Sequence, residues 1–265
     1  MTNRLQLEMA DHIAMVRLNR PKKNNAIDLE MFEAFIDTGG RLARDRTLRA
    51  VVLTGAGEHF CAGIDLSVFQ DTGLGTEAPG RMAPRESSAA NFFQSAAYVW
   101  REIPVPVIAA IRGVAFGGGL QIALGADIRY ARADSRLSVM EIKWGIIPDM
   151  AILTTAHHVV PLDQLKELAY TGRIINGRQA MEQGLVTALK DDPLEAAIDL
   201  AGEIAMRSPE AIRAIKTLFD TSWHAGSETS LRLEATLQKS ILGTANQLEA
   251  VSANREQREP EFADP

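Results

Sequence analysis

One cysteine, Cys61, stands in 265 residues. An intramolecular disulfide framework is therefore excluded, and a reducing compartment suits the composition. No apolar run approaches the ~18 residues that a membrane span needs, and the opening Met1–Glu8 is too polar for the core of a signal peptide. A cytoplasmic location is the expectation. Positive charge is in deficit, with 28 Lys and Arg against 34 Asp and Glu for a formal net charge of −6. That leaves no electrostatic footprint for nucleic acid or an anionic membrane. Neither a Gly-x-Ser-x-Gly elbow nor a Walker-type lysine motif occurs, which argues against a serine hydrolase of that type and a P-loop enzyme. Sequence repeats, low-complexity tracts and clear linkers are missing too.

What is present is ordinary for a globular chain: 46% apolar and 23% charged residues. The length fits one large domain or two small ones and allows roughly 70–75% of the unfolded surface to be buried. Residues 4–8 and 13–18 alternate like two strands around a turn at Ala10-Asp11-His12. After the cationic loop Arg20–Ala26, Asp28 reads as the N-cap of a helix to about Asp45, with Leu29, Phe32, Phe35 and Ile36 on one face. Ala50–Thr54 has the pattern of a buried strand. Residues 71–85, rich in Gly and Pro, predict a mobile loop, and a helix is expected over about 86–101. Val105–Ile111, Ala126–Tyr130 and Arg136–Val139 read as strands. From 149 onward the chain reads as mostly helical, broken at Pro161, Gly172, Gly184, Pro193, Pro209 and Gly226. Strands and helices alternating in this way predict an α/β fold with a helical C-terminal layer.

The stretch Arg112-Gly113-Val114-Ala115-Phe116-Gly117-Gly118-Gly119-Leu120-Gln121 follows one of these strands and leads into a buried helix. Three glycines let the backbone approach a ligand without a Cβ in the way. An oxyanion or anion at the N–H groups of the helix start is one reading, and a tight turn between packed elements is the other. A second small-residue turn, His59-Phe60-Cys61-Ala62-Gly63-Ile64-Asp65-Leu66, also follows a strand.

Phe60–Leu66, Gly113–Gln121 and Met140-Glu141-Ile142-Lys143-Trp144-Gly145-Ile146-Ile147-Pro148-Asp149 together resemble the crotonase superfamily, the enoyl-CoA hydratase/isomerase fold. Lesser matches are Leu18–Pro21 with Asn25-Ala26, Tyr170–Arg173, Glu182–Val186 and Arg258–Phe262, so the resemblance covers nearly the whole chain. It implies a spiral of ββα units over 1–195 and a helical oligomerisation region over 196–265 that builds a homotrimer, commonly paired into a hexamer. It implies an acyl-CoA thioester substrate, with coenzyme A part of that substrate and no metal or redox cofactor. The backbone N–H groups of Ile64 and Gly118 correspond to the family's oxyanion hole. Ala26, Ala62, Ile64, Asp65, Leu66 and Gly118 correspond to its CoA pocket. Arg20, Lys22 and Lys23 either meet CoA phosphates or are solvated turn charges.

Family hydratases carry two glutamates across the substrate. Here one position is Glu141, and the other is Gln121, an amide that can hold water but cannot exchange a proton near neutral pH. Asp149, eight residues beyond Glu141, corresponds to an aspartate of the dienoyl-CoA isomerase branch, which the Ala62–Leu66 wording also resembles. That branch normally has an aspartate where Gln121 stands. Asp149 is alternatively a helix N-cap after Pro148, and Glu141 a surface carboxylate at a strand end. Isomerisation of an unsaturated acyl-CoA is favoured. Hydration of a 2-enoyl-CoA, or a weakly catalytic acyl-CoA binder, is the alternative. Cys61 has no evident activating base and reads as structural. The adjacent His157 and His158 point to different faces of a helix and make a poor metal pair. Arg258 and Phe262 either reach a CoA or belong to a disordered tail.

Overall fold

In this computed structural model, residues 3–70, 80–86 and 88–265 are described. Positions 71–79 of the expected loop lie outside them. The chain opens with the hairpin of β1 (Leu5–Ala10) and β2 (Ile13–Leu18), paired antiparallel. Its two-residue turn places Asp11 and His12 at φ 48° and 64°, the double left-handed geometry whose twist suits a hairpin. Helix α1 (Leu29–Arg44) starts where the sequence puts it, because the Asp28 side chain accepts a hydrogen bond from the Met31 N–H. β3 (Ala50–Gly55) and β4 (Val107–Ile111) are buried at every residue, as parallel strands covered on both faces must be.

A larger sheet runs β1-β2-β3-β4-β6-β9, parallel after the first pair, with β6 at Ile128–Ala131 and β9 at Ala188–Leu189. A smaller sheet runs β5-β7-β8, with β5 at Val114–Phe116, β7 at Arg136–Ser138 and β8 at Ile175–Asn176. From β4 to β7 successive strands alternate between the two sheets. β4, β5 and the following helix form one ββα unit, so the α/β class holds. The short strands β5, β8 and β9 were not expected. Each is stabilised by a ladder across tens of residues rather than by its own propensity.

Alternate residues of β3 face different cores. Val51 and Leu53 join the main core with α1 and the helix over Phe92–Glu102, while Ala50 and Val52 meet Ala197 and Ala201 of α8 (Pro193–Ala205). Helix α2 is the short turn Ser67–Gln70. Helix α3 (Phe92–Glu102) begins later than the expected residue 86. There Asn91 and Gln94 exchange side-chain and backbone hydrogen bonds in a capping box that sets the start. Phe32 packs on Phe92 and Phe93 at 5.4 Å, and Phe35 meets Trp100 edge-on at 5.9 Å, holding α1 against α3.

The C-terminal half is punctuated as expected. α6 (Leu162–Thr171) follows Pro161 and ends at a left-handed Gly172, α8 starts at Pro193, α9 (Pro209–Ser222) at Pro209 and α10 (Ser227–Ile241) after Gly226. α7 (Gly177–Glu182) and α11 (Ala245–Glu256) complete the series, with α4 (Gly118–Leu124) and α5 (Ile152–Ala156) earlier in the chain. The expected 195/196 boundary falls inside α8, whose alanines cover the larger sheet. Helices beyond that sheet begin at α9.

One expectation is corrected, and one of two open readings of the C-terminal segment is excluded. α5 ends at Ala156, so His157 and His158 lie in a turn, and both rings stack on His224 from beyond α9. The C-terminal segment is ordered: Arg49 donates to Phe262 O (2.9 Å), and Asn246 exchanges two hydrogen bonds with Ala263. Arg258 is bound by Glu249 at 2.5 and 2.9 Å and by Glu256 at 2.7 Å. Among the described residues, no helix is long and apolar enough to cross a membrane.

Candidate active site

The two glycine turns lie side by side. The Phe60 N–H donates to Arg112 O (2.9 Å), Cys61 N–H to Val114 O (3.0 Å) and Phe116 N–H to Cys61 O (3.0 Å). Contact this close needs glycine: a Cβ on Gly63 would stand 2.7 Å from Phe116 O, and one on Gly119 would stand 2.5 Å from Cys61 O. Asn25, buried and left-handed at φ 56°, ties the preceding loop in. Its amide donates to Ala56 O and His59 O and its side-chain oxygen accepts from the Arg20 N–H.

Backbone donors follow from this packing. Ile27 N–H donates to Gly63 O, and Asp65 N–H donates to Ile27 O. These bonds flank Ile64 and use neither of its backbone groups. Gly118 is the first residue of α4, so its N–H is among those with no intrahelical acceptor. Both residues line one cavity of about 410 Å³, together with Ala26, Ala62, Asp65, Leu66 and Glu141. Lys23 stands at this lining, whereas Lys22, exposed one residue earlier, does not. Arg20 is occupied elsewhere, pairing with Asp65 (2.9 Å) and Asp28 (3.4 Å) and donating to Ala26 O (2.5 Å). A larger cavity, of about 950 Å³, lies between β1, α1 and α3, but Glu141, Gln121 and Asp149 are not among its walls.

Glu141 opens a 3-10 turn, Glu141–Trp144, and is only 6% exposed, so it is not a surface carboxylate. Its Oε1 accepts from Gln121 Nε2 at 2.6 Å, while its Oε2 is buried without a partner among the described residues. Burial pushes the Glu141 carboxyl above the usual carboxylate range, opposed by hydrogen bonds from its own N–H and Gln121 and reinforced by the charge of Asp149. Gln121 is 1% exposed, and its other end accepts from the Met150 N–H at 2.9 Å. These bonds fix which way the amide points. Rather than reaching for water, Gln121 bridges the carboxylate of Glu141 to the backbone beside Asp149.

Asp149 is exposed and lies outside the cavity lining, but its charge is close enough to raise Glu141, and partial desolvation by the neighbouring chain raises its own carboxyl as well. It does not cap a helix, since α5 is preceded by Ala151 at φ 63°. Gly117 supports the carboxylate from behind. Its φ of 51° and ψ of −121° suit glycine alone, and a Cβ would meet Glu141 Oε1 at 3.3 Å. Cys61 is structural: fully buried, with a thiol pushed up to about 12 by burial and donating to Asn25 O (3.1 Å). Met140, Trp144 and Ile146 also line the cavity. Sequence reasoning did not single them out, although an aperiodic apolar stretch after Glu141 is a signal of that kind.

Over residues 8–265 the sequence matches the enoyl-CoA hydratase/isomerase family model. It is 33% identical over 258 residues to human mitochondrial Delta(3,5)-Delta(2,4)-dienoyl-CoA isomerase, covering 94% of this chain and 77% of that protein. An enoyl-CoA hydratase of Mycobacterium tuberculosis is 29% identical over 97% of this chain and 95% of its own length. The fold superposes on the crystal structure of enoyl-CoA hydratase from Bacillus anthracis with a TM-score of 0.89 at 30% identity, over 99% and 100% of the two chains. With its two glycine turns meeting beside a buried glutamate, the chain belongs to the enoyl-CoA hydratase/isomerase family.

Proposed function

We propose that this enzyme shifts a double bond within an unsaturated fatty acyl-CoA. The observation that carries the reading is the 2.6 Å bond from Gln121 to Glu141. An amide at that point cannot donate or take up a proton near neutral pH, so water addition by two carboxylates lacks its partner. Isomerisation needs only a base that removes a proton from one carbon and an acid that returns it to another.

The unpartnered Oε2 of Glu141 is suited to take the proton from the carbon beside the thioester. The electron pair moves into the thioester carbonyl, whose oxygen accepts from the Ile64 and Gly118 N–H groups. Losing one such donor costs about 10²–10³ in rate. Reprotonation at the far end of the conjugated system relocates the double bond and leaves the mass unchanged. Asp149 serves as the second acid/base where that carbon lies beyond the reach of Glu141. Ala26, Ala62, Asp65 and Leu66 hold the CoA portion, with Lys23 and Lys22 near its phosphates. CoA belongs to the substrate, and the step calls for no separate cofactor. Exposed apolar side chains in the C-terminal helical region, Phe219, Leu231 and Leu248 on its helices and Leu242 in the turn after α10, support assembly as a homotrimer or a dimer of trimers.

The hydratase names of several solved relatives favour a second reading, syn addition of water to a 2-enoyl-CoA. A panel of 3-enoyl-, 3,5-dienoyl- and 2-enoyl-CoA thioesters, read by mass spectrometry and ultraviolet absorbance, tests both. Conversion of the first two at constant mass is expected. Rapid hydration of crotonyl-CoA without isomerase turnover overturns the isomerase reading, and binding without turnover identifies a weakly catalytic homologue.

A further inference from the structure

Three of the five histidines in the chain converge away from the thioester cavity. His157 closes α5, His158 follows it, and His224 comes two residues after α9 ends. The His157 and His224 rings stack at 4.3 Å, His158 and His224 at 4.5 Å, and the adjacent pair lies 5.2 Å apart. One ring nitrogen from each falls within 4.8 Å of the others. We propose that His157, His158 and His224 form a binding site for a divalent transition-metal ion of the zinc, cobalt and nickel class.

The donor chemistry suits such an ion, because neutral imidazole is its preferred nitrogen ligand. His158 Nδ1 is buried and has no hydrogen-bond partner among the described residues, so a lone pair or N–H is left unsatisfied in the metal-free chain. The Arg101 guanidinium lies close enough to His158 to act on it electrostatically. The repulsive charge of Arg101 is answered by Asp220 at 3.1 Å. Three nitrogens at ~2.0–2.1 Å from a tetrahedral ion stand about 3.3 Å apart. Coordination requires the exposed His157 and His224 side chains to turn out of their present stack with His158 and close to that spacing. Three protein ligands leave a fourth position for water. The ion would clip the end of α9 to the turn that follows α5, joining the C-terminal helices to the core.

The test is calorimetric titration of the tag-free, chelator-stripped full chain with Zn²⁺, alongside cobalt absorption spectra. One ion per chain is expected, with a melting temperature raised by about 5 °C at ~100-fold excess over Kd. Binding should weaken roughly tenfold or more in H157Q, H158Q and H224Q, and stay unchanged in H12Q, whose imidazole lies elsewhere. Far-UV circular dichroism in chelator checks that each variant folds. Should H158Q fail to fold, the exposed His157 and His224 carry the comparison. Absence of saturable binding by the wild type overturns the proposal, as does H224Q binding like the wild type.

Discussion

Replacing Gln121 by glutamate tests the reading of the site most directly. The wild-type amide donates to Glu141 Oε1 at 2.6 Å and accepts from Met150 N–H. Gln121→Glu keeps the second bond and turns the first into a contact between two carboxylates. At that separation and an effective dielectric of ~20, two unit charges repel by about 6 kcal/mol. That is an upper figure, since the pair relaxes apart and shares one proton. At about 1.36 kcal/mol per pKa unit, a surviving half of it still moves the apparent ionisation upward by ~2 units. A base must be ionised to act, so the acid limb of kcat/KM against pH moves to higher pH by that amount. Gln121→Leu removes the donor, a hydrogen bond to a charged group worth about 1.5–3 kcal/mol, together with the acceptor of the Met150 N–H, and the loss of the donor predicts a shift of ~1–2 units in the same direction. The assay is isomerisation of a 3-enoyl-CoA across the pH range, with hydration of crotonyl-CoA followed in parallel. Hydration should appear in Gln121→Glu, which has the second carboxylate. Profiles of all three proteins that superimpose would refute the idea that Gln121 tunes the base.

Two further substitutions probe the same carboxylate. Glu141→Gln should lower kcat by about 10²–10⁴-fold while raising thermal stability near neutral pH. Because burial lifts the folded-state pKa, the native state holds its proton more tightly, and ionisation costs stability as pH rises above the unfolded value. The gain should be absent below pH ~4, where the carboxyl is protonated in both states; a gain that persists there contradicts the assignment. Gly117→Ala forces a Cβ into the φ 51°, ψ −121° conformation beside Glu141 Oε1, a strain of about 1–3 kcal/mol. Both the melting temperature and kcat/KM should fall, and an alanine variant with wild-type kinetics would show that the carboxylate position is not critical.

How legible this was in the sequence depends on distance along the chain. Asp28 as an N-cap, the Asp11-His12 turn and the helix starts at Pro161, Pro193 and Pro209 are local decisions, made by a side chain or a fixed φ within one turn. The start of α3 lies later than the composition predicts because the capping pair Asn91 and Gln94 outweighs the helix-like residues before it. Strands of two or three residues carry too few side chains to show a period, so β5, β8 and β9 exist only through their partners. The family motifs brought the right residues together at the cavity. Their meaning changed at Gln121, whose contacts with Glu141 and Met150 span 20 and 29 residues. The histidine cluster was hidden for the same reason, because His224 meets its partners only after α9 has folded.

Arg49 ties this geometry to time. Just ahead of β3, its buried guanidinium donates to Ala205 O, Phe262 O and the Asp264 carboxylate, acceptors made 156, 213 and 215 residues later. At ~5–20 residues per second of synthesis, these acceptors are made roughly 10–40 s after the strand that Arg49 precedes. Until then the guanidinium must stay hydrated, so the buried flank of the larger sheet closes only when the last residues of the chain arrive.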